Sequence, residues 1–364
     1  MKKIRTIGIA ALIVLWAALT LFLWFGSKSD YTYSERRPLA QMPELSTNTL
    51  FSGKFAADFE DFTLDQFPLR DTVRKVKSLF QYNLLNQADN NGIYLVGDIV
   101  AKLEYPMNAS SVTYATGKLQ YLYDSLLKGT DCKIYATMIP DKGYYLAEAN
   151  GYPAMDYAAL EDLYRDSLSF AEYVDIKPLL TAADYYRTDT HWRQEKILSV
   201  AQTLSNAMGA EMTGDYTPMK LDAPFYGVYF GQAALPMEPE ETYVLQSPVL
   251  DGCTVTDLLT GKTTAVYDMD KLTSPDLYDV YLSGALPLLI IENPRGDPRR
   301  ELVIFRDSYG SSLAPLLIGD YSRITLVDIR YIPSNQVGQF VTFDNQDVLF
   351  AYSTLILNNG RSLK

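Results

Sequence analysis

Residues 7–25 form an almost unbroken apolar run without a charged side chain, and no comparable run follows in the chain. A helix of roughly 20 apolar residues is what a bilayer's hydrocarbon core requires. Lys2, Lys3 and Arg5 stand before the run and no cation stands within it. The positive-inside rule then puts the N-terminus in the cytoplasm and the remainder outside. The competing reading is a cleaved signal peptide, which has an apolar region of about 7–15 residues and small residues at its cleavage site. Here the run is longer and closes on Leu23-Trp24-Phe25. The sequence therefore predicts a single-pass anchor within 1–29, with everything beyond folding in water on the outer side of the cell membrane.

The exported part exceeds the usual ~100–200 residues of one domain, so a sheet-based domain with an inserted lobe is expected. With 48% hydrophobic and 21% charged residues it can build a core. The whole chain carries −12; three of the 32 bases precede the apolar run and all 44 acids follow it, which leaves the exported part near −15. Such a field repels phosphate backbones and argues against a nucleic-acid partner. Cys132 and Cys253 are far apart and outside any C-x-x-C spacing. They read as two free thiols, with pairing in an oxidising compartment the alternative. One histidine and no cysteine cluster leave no conventional zinc site, though a carboxylate calcium site stays open. No cofactor is called for.

Along the chain, 30–52 is polar and proline-punctuated and reads as an extended linker or wrapping segment. Apolar spacing over 53–85, broken at Phe67-Pro68, predicts two amphipathic helices. A strand and turn at 92–98 and a helix over 109–128 follow. The pattern then becomes apolar strands alternating with helices, the signature of a parallel sheet. The strands are KIYATMI (133–139), a short one at 173–176, ELVIF (301–305), ITLVDI (324–329) and VLFAYSTLIL (348–357); helices fall at 156–169 and 195–208. Tyr-, Thr- and Pro-rich alternating stretches over about 215–295 suggest a β-rich insertion. The predicted fold is a three-layer α/β sandwich over 53–364 with a central parallel sheet.

Any imidazole base must be His191, the only histidine. In Thr188-Asp189-Thr190-His191-Trp192 a carboxylate lies two residues before it. In a turn, Asp189 can accept the Nδ1 hydrogen and leave Nε2 facing outward as a base; the bland alternative is that Asp189 or Thr190 caps the next helix. The strand ELVIF runs into Arg306-Asp307-Ser308-Tyr309-Gly310, which places Ser308 at a strand-to-helix turn, where open α/β sheets bind ligands. Backbone N–H groups at such a turn can stabilise an oxyanion, and again capping is the alternative role for these residues. Lys142, Arg330 and Tyr331 follow the ends of other strands and are expected on the same rim as substrate-binding residues.

Together these segments resemble a known family. The anchor, SERRPLAQMP at 34–43, DQFPLRD at 65–71, IPDK at 139–142, YRTDTHW at 186–192 and FRDSYGSS at 305–312 look like the DHHW family, similar to the SGNH-like alginate O-acetyltransferases of bacterial polysaccharide secretion. The resemblance implies an SGNH-hydrolase-like fold, a catalytic triad of Asp189, His191 and Ser308, a polysaccharide acceptor and a membrane-bound O-acyltransferase as acetyl donor. Two positions depart from the pattern. Thr190 stands where the family's name has a second histidine, and Ser311 stands where relatives often carry asparagine, which leaves the backbone N–H groups of Ser308 and Gly310 as oxyanion candidates. A carbohydrate esterase with the same triad, and a non-catalytic polysaccharide-binding or assembly protein, are the alternatives.

Overall fold

The computed structural model describes residues 2–210, 212 and 214–364. The chain forms two compact units, one of the residues up to Asn91 with Phe230–Met237, the other of Gly92–Tyr229 with Glu238–Lys364.

In the first unit the helix Lys2–Phe25 contains Lys3–Phe25, long and apolar enough to cross a membrane. Segment 30–52 carries a two-stranded ladder, Tyr31–Thr32 with Arg37–Pro38, and a short helix Thr47–Phe51. Its anchor point is Asp65, buried at the end of the helix Lys54–Asp65. That carboxylate accepts both arms of Arg37 (2.7 and 2.6 Å) and the Ala40 N–H (2.9 Å). A bidentate guanidinium is the strong form of such a contact. The charged residues of SERRPLAQMP and DQFPLRD thus bind each other. A second helix, Arg70–Leu79, follows.

The second unit is built on an eight-stranded sheet. We number its strands β1 (Lys133–Ile139), β2 (Glu172–Tyr173), β3 (Thr254–Asp257), β4 (Thr263–Thr264), β5 (Leu288–Glu292), β6 (Asp297–Arg306), β7 (Tyr321–Val327) and β8 (Asp347–Ser353). Their order is β4-β3-β5-β7-β6-β8-β1-β2. From β7 to β2 all pairs are parallel; β5, β3 and β4 add antiparallel strands at the other side.

Strand side chains alternate between faces, and here both faces are buried. Leu302, Ile304, Ile324, Leu326, Leu349 and Ala351 pack into one core with the helices Leu198–Ala207 and Gly310–Leu317. Val303, Phe305, Val327, Val348, Phe350 and Tyr352 pack into the other with the helices Ala109–Leu122 and Tyr157–Ser167. A sheet covered on both faces reads as continuous apolar runs, which is why ELVIF and KIYATMI stand out in the sequence. The result is the three-layer α/β sandwich the sequence predicts.

Two expectations need correction. Residues 215–295 are not one insertion: only Thr217–Lys220 and Tyr243–Gln246 form a separate ladder, while β3, β4 and β5 extend the main sheet. Leu288 faces one core and Leu289 and Ile291 the other, so this run requires an interior position. The apolar run 348–357 is also not one strand. It stops at Ser353, whose hydroxyl accepts the Ile356 N–H and caps a helix over Thr354–Asn358.

Candidate active site

Parallel strands present their carboxyl ends on one edge, and β6, β7, β8 and β1 do so here. At the end of β6 the buried Asp307 makes the turn. Its Oδ1 accepts the Tyr309 N–H (3.0 Å) and its Oδ2 accepts the Ser353 N–H at the end of β8 (2.8 Å). The turn is therefore fixed to the neighbouring strand, and Ser308 sits half-buried just before the helix Gly310–Leu317.

The second part is the loop 185–192, closed by a bridge between Tyr185 and Trp192 and by the Tyr186 N–H donating to the His191 carbonyl (3.1 Å). Inside it Asp189, fully buried, accepts the His191 backbone N–H (3.0 Å) and faces Nδ1 (2.6 Å) through Oδ1. Its Oδ2 accepts the Val228 N–H (2.8 Å). A carboxylate at Nδ1 holds the proton there, so Nε2 is the acceptor for the Ser308 hydroxyl, 2.7 Å away. The structure thus brings Asp189, His191 and Ser308 into one hydrogen-bonded line.

What positions this line is a pair of buried charges that the sequence reading did not find together. Lys142 Nζ donates to the carbonyls of Tyr186 (3.0 Å), Arg187 (3.1 Å) and Val100. Glu240 accepts the N–H groups of Arg187 (2.6 Å) and Thr188 (2.7 Å) and the Thr188 hydroxyl (2.6 Å). A cation thus holds the loop's carbonyls and an anion its amides, immediately before Asp189. Burial lowers the Lys142 amine to about 7, against the opposing pull of Asp189, Glu240 and Asp141. Gly227 completes the support: a Cβ there would collide with the Thr188 carbonyl and the Asp189 nitrogen.

The imidazole is walled by aromatics. Tyr278 stacks on it at 3.9 Å between centroids and 9° between planes, and Tyr309 meets it edge-on at 5.0 Å. The Tyr278 hydroxyl is 2.7 Å from Ser312 Oγ, which also accepts the Trp192 indole N–H (2.9 Å). The Tyr309 hydroxyl donates to the Thr190 carbonyl (2.6 Å). Thr190 is thereby tied through its backbone to one of the rings that wall the imidazole.

The other expected site residues divide. Lys142 is not open to a cleft: it is 2% exposed and its three N–H bonds point at three carbonyls. Arg330 lies at the end of β7 in a forked pair with buried Asp328 (2.9 and 2.5 Å), its guanidinium 5.3 Å from the Tyr331 ring. Tyr331 itself is about half exposed. Of the oxyanion candidates, the Gly310 N–H already donates to the Asp307 carbonyl (3.1 Å). The Ser311 hydroxyl accepts from the buried Arg306 (3.0 Å). Glu240, Tyr278 and Gly227 escaped the sequence reading because an acidic stretch, a tyrosine among 28 and a loop glycine carry no motif.

No family model matches the chain, and no curated protein does. Solved structures match by fold. A DHHW family protein from Eubacterium siraeum superposes with a TM-score of 0.61 at 19% identity, over 75% of this chain and 94% of that one. Bacillus cereus PatB1, solved with a sulfonyl adduct, gives 0.54 at 18%, over 73% and 95%. The O-acetyltransferase domain of Pseudomonas putida AlgJ gives 0.46 at 12%, over 73% and 92%. The three-layer α/β fold read from the sequence is thus shared with the first two, one of them a DHHW family protein.

Proposed function

We propose that this chain is an extracytoplasmic O-acetyltransferase that modifies a cell-envelope or secreted polysaccharide through an acyl-Ser308 intermediate. The single observation carrying this reading is the Asp189–His191–Ser308 line at the carboxyl end of β6, with its 2.6 and 2.7 Å links. In the first half-reaction His191 Nε2 takes the Ser308 proton as Oγ bonds to the acetyl carbon; the proton then passes to the departing alcohol as its C–O bond breaks. Asp189 stabilises the imidazolium between these steps. In the second half-reaction a sugar hydroxyl gives its proton to Nε2 and attacks the acyl-serine, which regenerates Ser308 and yields the sugar ester. The Ser308 N–H is the proposed oxyanion donor.

Water in place of the sugar would make the same residues a carbohydrate esterase. The stacking of Tyr278 and the burial of His191, 7% exposed, favour transfer because they limit water around the base. Tyr331, exposed on the rim beside Arg330, has the surface for sugar stacking. The segment Lys3–Phe25, with the cations at its N-terminal end, would hold the unit against the outer face of the cell membrane. Acetyl groups would then arrive from a membrane-bound O-acyltransferase, as the family resemblance implies.

The test is labelling of the purified full chain in detergent with a serine-directed fluorophosphonate. Ser308 should be labelled, His191→Ala should abolish labelling without loss of fold, and an oligosaccharide should accept acetyl from an activated ester. An unlabelled Ser308 in a folded chain refutes the acyl-serine. Labelling with release of acetate only, unaffected by sugar, assigns the esterase.

A further inference from the structure

Helices on a protein surface ordinarily turn their apolar stripe inward and their polar stripe to water. The helix Arg70–Leu79 does the reverse. Its inward contacts are polar: Arg70 and Arg74 pair with Glu35 (2.5 and 3.1 Å), Arg74 also donates to the Gly231 carbonyl (2.9 Å), and Ser78 donates to the Ala233 carbonyl (2.5 Å). Its outward stripe is Leu69, Val73, Val76 and Phe80, spaced four, three and four residues apart, and it continues to Leu84 through the π-helical turn Phe80–Leu84. Leu69 is 78% exposed, Val76 63% and Leu84 65%. Lys75 and Lys77, both exposed, accompany the stripe.

What covers this face is indicated by what the same unit carries. The chain leaves the helix Lys2–Phe25 and four residues later is held at Ser29, whose N–H donates to the Gln66 carboxamide (3.1 Å) and whose carbonyl accepts from it (2.9 Å). Four residues reach at most about 14 Å. Trp24 of the apolar helix packs on Phe59 at 6.3 Å, and Phe22 and Leu69 line one cleft. The outward stripe therefore begins beside the end of the membrane-crossing segment, with cations at its side, which is the composition of a helix that lies in a bilayer interface.

We propose that the Leu69–Val73–Val76–Phe80–Leu84 face rests in the headgroup and acyl boundary of the membrane that Lys3–Phe25 crosses, so that the first unit is seated on the bilayer and not merely tethered to it. This rests on the reading of Lys3–Phe25 as a span. The test uses the full chain with Cys132→Ala and Cys253→Ala, a single cysteine carrying a fluorophore, and vesicles of phosphatidylcholine and phosphatidylglycerol containing doxyl-labelled lipid. Labels at Val76→Cys and, independently, at Leu84→Cys should lose emission to a shallow doxyl group more than to a deep one. A label at Val14→Cys should lose more to the deep group. Quenching at Val14 with none at Val76 or Leu84 overturns the seat while the span stands, and assigns the face to a protein partner absent from pure lipid. No quenching at any site overturns both.

Discussion

Replacing Lys142 by methionine isolates one buried charge, and its effect can be worked out from the structure. Methionine is similar in length and does not ionise. In the folded chain the amine releases its proton at about 7, with burial as the main cause, whereas the unfolded chain keeps it to about 10.5. Between these values the unfolded state binds more protons, so the free energy of unfolding rises with pH. The slope contributed by this group reaches about 1.4 kcal/mol per pH unit and its total is on the order of 4–5 kcal/mol. The penalty is complete below about pH 7 and absent above about 10.5. Loss of the hydrogen bonds to Val100, Tyr186 and Arg187 also destabilises the variant, as an offset on which the proton-linked slope is superimposed. The assay is urea unfolding of the full chain in detergent, followed through the emission of buried Trp192, at several pH values from neutral to moderately alkaline. The wild-type stability should gain on that of Lys142→Met by roughly 1 kcal/mol or more per unit. Parallel curves would refute a charged-to-neutral transition at this amine. The same transition bears on the loop, because an ammonium has three donors for the three carbonyls and a neutral amine has two.

Asp189→Asn should leave the fold intact and slow fluorophosphonate labelling of Ser308 by about 10³–10⁴-fold, because an amide at Nδ1 permits the wrong tautomer; a loss under tenfold would remove Asp189 from the line. Glu240→Gln keeps the shape but removes the charge from three bonds to Arg187 and Thr188, and should lower stability by about 1–3 kcal/mol in urea unfolding. Gly227→Ala drives a methyl into the Thr188–Asp189 peptide and should lower stability by about 1–3 kcal/mol while displacing the loop. Its labelling rate should fall further than the stability loss accounts for, and an unchanged rate would show that the loop tolerates the shift.

How much of this was legible in the sequence depends on how local the determinant is. KIYATMI announces a strand because residues buried on both faces leave no alternation, and its bounds match β1. Asp189 and His191 were legible because two residues in a turn suffice to join carboxylate and imidazole, and Ser308 because a strand end needs only the strand. The break at Ser353 was less visible: the run stays apolar through it, and only the hydroxyl that caps the helix, together with the backbone N–H given to Asp307, ends the strand there. The strands over 254–292 read as an insertion because short alternating segments look alike whether they pair with one another or with a distant edge, and β7, through which β5 joins the main sheet, lies far along the chain.

Lys142 and Glu240 were beyond reach for a different reason. Both act on peptide groups, and peptide groups carry no letter in the sequence. A lysine after a strand reads as a rim charge, and a glutamate in Pro239-Glu240-Glu241 reads as a solvated one. Folding turns them into opposite ends of a clamp: Lys142 on the carbonyls of Tyr186 and Arg187, Glu240 on the amides of Arg187 and Thr188. Neither touches His191, yet the loop between them fixes where Asp189 stands, and an error of a few tenths of an ångström there is passed to the 2.6 Å link on Nδ1. An Asp-x-His motif therefore predicts which atoms meet, while the precision of their meeting comes from buried charges elsewhere that hold backbone.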